Sequence, residues 1–175
     1  MSAPPGNLIH PSETHLEKMI AMRAETHFDH HERLPEHFSE YAIRSQIEAD
    51  LRECIQAPRF FRRRAFALGW EADGDLRGYL LYRLRAGVEY SPASERTVTR
   101  YWITDIAVDK AYRRRGIGSA LLQALREQVG DDADGMLYAN VWAGNDASAE
   151  MFRRAGFQMV MQDFSLKLGA GDNGA

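Results

Sequence analysis

The run "DIAVDKAYRRRGIGSALLQAL", from Asp105 to Leu125, decides how the chain is read. An apolar β-type piece ends in Arg113, Arg114 and Arg115, then in Gly116 and Gly118, and then in an amphipathic helix. Glycines here permit backbone angles, and a closeness of approach, that a Cβ would forbid. The first turn of a helix carries N–H groups with no intrahelical acceptor and the positive end of the helix dipole. Strand, glycine turn and helix in this order predict a phosphate or pyrophosphate ligand. A P-loop requires Gly-Lys-Ser/Thr, but Gly118 is followed by Ser119 and no lysine. A dinucleotide fingerprint requires a third glycine where Leu121 stands. Both readings fail.

On either side of this run the chain is punctuated clearly. Apolar residues at Leu16, Met19, Ile20 and Met22 predict a helix from Ser12 to about His31. Ile43, Ile47, Leu51 and Ile55 recur every fourth residue in a second helix, Ser39 to Gln56, which Pro58 stops. "RAFALGWEA" and "RGYLLYRLRA" flank "DGD" with Gly74 at the tip, a hairpin. "GVEYSPASERT" reads as a loop and "VTRYWITDIAVD" as a long strand. A helix from about Ile117 to Val129 puts Ile117, Leu121, Leu125 and Val129 on one stripe. "GMLYANVWA" is a further strand, and Asn145 or Asp146 caps a short helix ending at Gly156. "FQMVMQDFSLKL" alternates as a closing strand. The order predicts a mixed α/β (α+β) domain in which helices pack on a sheet.

The 175 residues are expected to form one domain, 1–175, with flexible tails at 1–7 and 169–175. The formal charge of −3 gives no general attraction to nucleic acid, although nineteen of the 22 basic residues are arginine. The lone Cys54 excludes an internal disulfide and is expected to pack as a small hydrophobe. No apolar stretch is long enough for a membrane span, and the start "MSAPPGNLIH" lacks the pattern of a signal peptide. A cytoplasmic protein is the expectation.

Arg113, Gly116 and Gly118 meet the Arg/Gln-x-x-Gly-x-Gly/Ala pyrophosphate loop of acyl-CoA-dependent transferases. "DIAVDKAYRRRGIGSALL" closely resembles motif A of the GNAT superfamily of N-acetyltransferases. "NVWAGNDASAEMFRRAGF" resembles motif B of the same superfamily, and together the two cover about Tyr101 to Phe157. The resemblance implies a mostly antiparallel twisted sheet of about six to seven strands and about four helices, with a splayed strand pair that binds acyl-CoA. It implies acetyl-CoA as co-substrate and an acetyl transfer to a primary amine by direct attack in a ternary complex. Ile106, Ala107 and Val108 would pair with the pantetheine arm, as an added strand pairs with a sheet edge. Arg113, Arg114, Arg115, Gly116, Ile117, Gly118 and Ser119 would hold the pyrophosphate. Asn145 would touch the pantetheine or adenine side, with Ala149 and Phe152 lining the thiol end.

The catalytic groups are less well marked. Phe152 stands where the family often has a tyrosine that protonates the leaving thiolate, and a phenyl ring has no proton to give. Either solvent does so, since a thiol has a pKa near ~8.5, or Tyr138 or Tyr101 serves. For the base, Thr104 stands where many relatives have Glu, and Asp105 is the matched carboxylate. Alternation puts these two on opposite faces of the strand unless a bulge intervenes. Glu89 and Glu95 are further carboxylates in the loop.

All six histidines lie within the first 37 residues. His27 and His31 have helical spacing for zinc with Asp29 near, but no cysteine or second ligand pair joins them, and no metal is expected. By the resemblance, His30, His31 and Tyr41 border the acceptor site. The basic run "RFFRRR", 59–64, is expected to be a solvated strand entry or a dock for acidic groups, not a nucleic-acid site. The partners expected are a small-molecule or peptide amine and, from exposed sheet edges, a second copy in a homodimer. The alternative to an enzyme is a non-catalytic acyl-CoA-binding module, suggested by Phe152 and Thr104.

Overall fold

The computed structural model describes residues 4–56, 65–88, 97–130, 132 and 135–165. Five strands form one sheet in the order β1 (Asn7–Ile9), β2 (Ala65–Ala72), β3 (Asp75–Val88), β4 (Thr97–Val108) and β5 (Gly135–Ala139). Four helices accompany it: α1 (Leu16–Arg33), α2 (Arg44–Ile55), α3 (Ile117–Val129) and α4 (Asp146–Arg154). The first three strand pairings are antiparallel and β4 with β5 is parallel. The expected mixed class and four helices are present, but the described sheet has five strands where six to seven were expected.

Alternation along β3 explains the layering. Tyr79 and Leu81 pack beneath α1 and α2 with Met19, Ile20, Leu51 and Cys54. Leu80 and Tyr82 face the opposite way, against Leu121, Leu122 and Leu125 of α3 and Phe152 of α4. Residues one apart on a strand point to opposite faces, so a central strand with both faces buried is apolar at every position. That is why "YLLY" sits at the middle of the sheet. Cys54 is fully buried, and burial pushes its thiol up to about 11, as suits a packing residue. No described helix is long and apolar enough to cross a membrane.

Several sequence boundaries move. Asn7 is not part of a loose tail: β1 pairs with the edge of β2, Asn7 opposite Glu71, and the Trp70 indole donates to the Pro5 carbonyl at 3.0 Å. Backbone pairing of three residues is too short to show as periodicity, so nothing in the sequence announced it. The second helix begins at Arg44, not Ser39, because 34–43 is a loop held by α1. The strand expected of "FQMVMQDFSLKL" does not form over 157–165, which have no regular structure and leave Met159, Val160 and Phe164 exposed. Alternation makes a segment able to pair, but a strand exists only where a neighbour supplies the hydrogen bonds. Residues 59–64, Glu89, Glu95 and the tail 169–175 lie outside the described residues.

Leu121 is fully buried between α3 and the sheet. Leu121→Ala is expected to lower unfolding free energy by about 2–5 kcal/mol, the usual range for such a cavity. Urea denaturation measures it, and a loss under ~1 kcal/mol would contradict this packing.

Candidate functional site

The cleft begins where two strands part. β4 and β5 pair from Thr99 with Gly135 to Ile103 with Ala139, and the pairing stops there. β4 runs on to Val108, while the chain after Ala139 leaves through Asn140 toward the cap of α4. From Thr104 onward, β4 therefore has β3 on one side and, among the described residues, no strand on the other, an open edge.

A bulge sharpens the parting. Leu81 pairs with Asp105 but Tyr82 pairs with Ile103, so Thr104 is the extra residue. An extra residue bends the strand and redirects its side chains. Strict alternation would separate Thr104 and Asp105; with the bulge, both line one cleft of about 90 Å³, together with Ile106, Thr26, His30, Asn145, Ser148, Trp142 and Phe152. The conditional expectation about a bulge is met at the position that matters.

Asp105 is the charged centre of this cleft. The Tyr79 hydroxyl, itself fully buried, donates to Asp105 Oδ2 at 2.6 Å. Arg23 Nε lies 3.6 Å from the same oxygen, and the Asp105 side chain is only 13% exposed. Burial raises the Asp105 pKa above the usual carboxylate value, and Arg23 and Tyr79 oppose that rise without cancelling it. His30 reaches the cleft from α1, and burial lowers its pKa, helped by Arg33, so its ring is held neutral around pH 7.

The turn after β4 is the segment from which the sequence reading expected an anion site. Gly116, with φ +89°, caps α3, and Arg114 is also left-handed at φ +65°. The first helical bond of α3 runs from Ala120 N–H to the Gly116 carbonyl at 2.9 Å, so the amides of Ile117, Gly118 and Ser119 precede it. A Cβ on Gly118 would stand 2.7 Å from Met151 Sδ of α4, so this glycine also lets the two helices close up. These features fit a pyrophosphate at the helix start and an extended amide-bearing arm along the open edge of β4.

The arginines have other duties. Arg113 donates through Nε to the Val108 carbonyl at 3.2 Å and pairs with Asp29 at 3.3 Å and Glu25 at 3.5 Å of α1. It braces the turn against α1. The Arg115 guanidinium lies over the Tyr112 ring, 4.7 Å from its centre. Only Arg114 among the three has no such described contact on its side chain.

The remaining sequence-derived candidates separate. Tyr138 stacks on Trp102 at 5.5 Å and does not line the cleft. The Tyr101 hydroxyl donates to Asp132 at 2.9 Å, also outside it. Ala149 lies on α4 one residue past the cleft-lining Ser148. Asn145 caps α4, its Oδ1 accepting from the Ser148 amide at 3.2 Å. His31 donates through Nδ1 to the Phe38 carbonyl at 2.8 Å, and His27 through Nε2 to the Ser39 carbonyl at 2.9 Å. Those two rings hold the 34–43 loop; among the described residues no three His, Cys, Asp or Glu side chains gather as metal ligands. Tyr41 borders a second hollow of about 240 Å³ with Arg23, Gln46 and Ile47.

The sequence reading missed Arg23, Tyr79, Thr26, Ser148 and Trp142. A tyrosine inside an apolar strand run, where its hydroxyl needs a partner, was the one usable signal.

A family model described as the acetyltransferase (GNAT) family matches residues 22–157. An N-alpha-acetyltransferase of Sulfurisphaera tokodaii is 31% identical over 91 residues, covering 51% of this chain and 54% of that protein. The N-alpha-acetyltransferase RimI of Mycobacterium tuberculosis is 42% identical over 60 residues, 34% of this chain and 36% of the relative. The chain thus spans about half or less of the curated relatives it matches. Among solved structures, an aminoglycoside N-acetyltransferase, AAC(6')-Iy in complex with CoA, aligns at TM-score 0.64 and 17% identity, over 97% of this chain and 98% of that one.

Because the folded Asp105 binds its proton more tightly than an unfolded carboxyl, stability falls as pH rises from the ordinary Asp value of ~3.9 through the folded one. Asp105→Asn does not titrate. Its stability relative to wild type is therefore expected to rise as pH increases from about 3.5 to 8. A difference that stays flat in urea melts across that range would contradict the burial of an ionising group there.

Proposed function

This chain belongs to the acetyltransferase (GNAT) family, and we propose that it transfers the acetyl group of acetyl-CoA to a primary amine by direct attack in a ternary complex. One observation carries the reading. The open edge of β4 runs from a cleft with a titratable carboxylate, at Asp105, to Ile106 and Val108, whose side chains lie about 4 Å from where a Cβ on Gly118 would stand at the start of α3, where the amides are unpaired. An acyl-CoA laid along that edge has its phosphates at α3 and its thioester beside Thr104 to Ile106. Ile106 to Val108 pair with the pantetheine arm, and the amides of Arg114 to Ser119 hold the pyrophosphate, with more contribution from backbone than from the arginine heads. Asn145 and Phe152 wall the thiol end.

The chemistry needs a neutral amine. Its lone pair attacks the thioester carbon, and the resulting oxyanion collapses with cleavage of the C–S bond. The ammonium loses one proton before attack and the nitrogen a second as the amide forms, while the departing thiolate gains one. Asp105, with its raised pKa, takes the amine's proton directly or through a water, and the neutral His30 ring faces the same space. Phe152 has no proton to give, so solvent protonates the thiolate.

These weak bases favour one acceptor class. At pH 7 roughly a tenth of an α-amine with pKa ~8 is neutral, against well under a thousandth of a lysine amine near ~10.4. A carboxylate can deprotonate the α-ammonium far more readily than the lysine ammonium. The acceptor proposed is therefore the α-amine of a peptide or protein, in keeping with the N-alpha names of the two curated relatives.

Thiol release from acetyl-CoA is expected with peptides bearing a free α-amine and not with the same peptides blocked at that amine. Release with lysine side chains alone would overturn the acceptor class, and CoA binding without release from any amine would overturn the transfer itself. Gly118→Val is expected to weaken CoA binding tenfold or more, about 1.4 kcal/mol. Adding Met151→Ala relieves the contact with α4 but should not restore affinity; calorimetric titration with CoA separates the two causes.

A further inference from the structure

Arg23 stands between two carboxylates from different parts of the fold. From α1 it donates through Nη1 to Asp50 Oδ2 on α2, while its Nε lies 3.6 Å from Asp105 Oδ2. Arg83 of β3 reaches the other Asp50 oxygen at 2.8 Å and forks onto Glu53 at 2.9 and 2.8 Å. Charges of alternating sign thus run from the cleft to the exposed side of α2: Asp105, Arg23, Asp50, Arg83, Glu53.

We propose that Arg23 is a positioning residue: by dividing its guanidinium between Asp105 and Asp50, it sets how readily Asp105 accepts the proton of the acceptor amine. The inference rests on the function proposed above, in which Asp105 takes that proton.

The geometry supports it in three ways. Tyr79 and Arg23 both meet Oδ2, the Ile106 amide also donates to the carboxylate, and Asp105 lines the cleft. A full ion pair with Arg23 would make Asp105 a poor base, and no cation at all would leave a buried carboxyl protonated. Asp50 holds Arg23 closer to itself than to Asp105, an intermediate setting. The groups facing Asp105 are Tyr79 from β3, Arg23 and His30 from α1, and Asp50 from α2. The chain after β5 and α4 line the cleft with uncharged residues, among them Asn140, Trp142, Asn145, Ser148 and Phe152.

Two variants should move the same quantity in opposite directions. Arg23→Gln removes the cation and is expected to move the acid limb of the pH–rate profile upward by about one pH unit or more. Asp50→Asn frees Arg23 for Asp105 and removes a nearby negative charge, so the limb should move downward. Arg23→Lys should return the limb most of the way to its wild-type position. Loss of packing alone would not move one limb both ways. A ¹³C-carboxyl titration of Asp105 in the ligand-free protein reads the same shifts without turnover. Shifts of the Asp105 titration in one direction for both variants, or in neither, would overturn the role of Arg23. A rate limb that fails to follow the Asp105 titration would overturn it too. Opposite carboxyl shifts in a protein that acetylates no amine would instead sink the proposed function and leave the electrostatic role standing.

Discussion

The molecule depends on one interruption of backbone pairing. After Ile103 meets Ala139, β4 loses its parallel neighbour but keeps β3. Unpaired strand edges seek hydrogen bonds, and buried ones without partners are costly. Here the open edge fronts a cleft, where a ligand with its own amides can complete the ladder. Placement follows from the same break. The bulge at Thr104 brings two successive residues, Thr104 and Asp105, into the lining of one cleft, and the start of α3 packs close to Ile106 and Val108 near the end of β4.

Around that opening, the rest of the structure acts as a brace. Arg113 ties the turn to Asp29 and Glu25 of α1, and Gly118 lets Met151 of α4 close against α3. His27 and His31 pin the 34–43 loop, which carries Phe38 to within 4.7 Å of Trp142 at the cleft's lip. Residues that look like ligands by type are thereby used as struts. An arginine or histidine already bonded to the protein costs energy to redirect, so exposed backbone amides are the better-prepared contacts for an anion.

Asp105 shows how such a site works against stability. A carboxylate that is 13% exposed, beside a buried tyrosine and a shared arginine, is less comfortable ionised than it would be in water. Functional sites commonly carry such perturbed groups, and the proton-accepting role proposed for Asp105 draws on this one. The network through Asp50, Arg83 and Glu53 supports Arg23 from behind, on the side away from the cleft residues of α4.

Much of this was legible in the chain itself. The strand–turn–helix at Asp105 to Leu125, the helix faces and the hairpin at Gly74 are local patterns, because periodicity and glycine positions act over a few residues. What depended on distant pairing was not legible. β1 is three residues that form only against β2, and the apolar alternation after Phe157 promised a strand that has no partner over 157–165. The sequence by itself determined a strand, a glycine turn and a helix in that order, with Asp105 within the strand. Only the tertiary structure decided that Thr104 bulges, that Tyr79, Arg23 and His30 surround Asp105, and that Tyr138 turns away to Trp102. The physical reason is reach: turns and helix faces are set by neighbours in the chain, whereas burial and charge are set by elements dozens of residues apart.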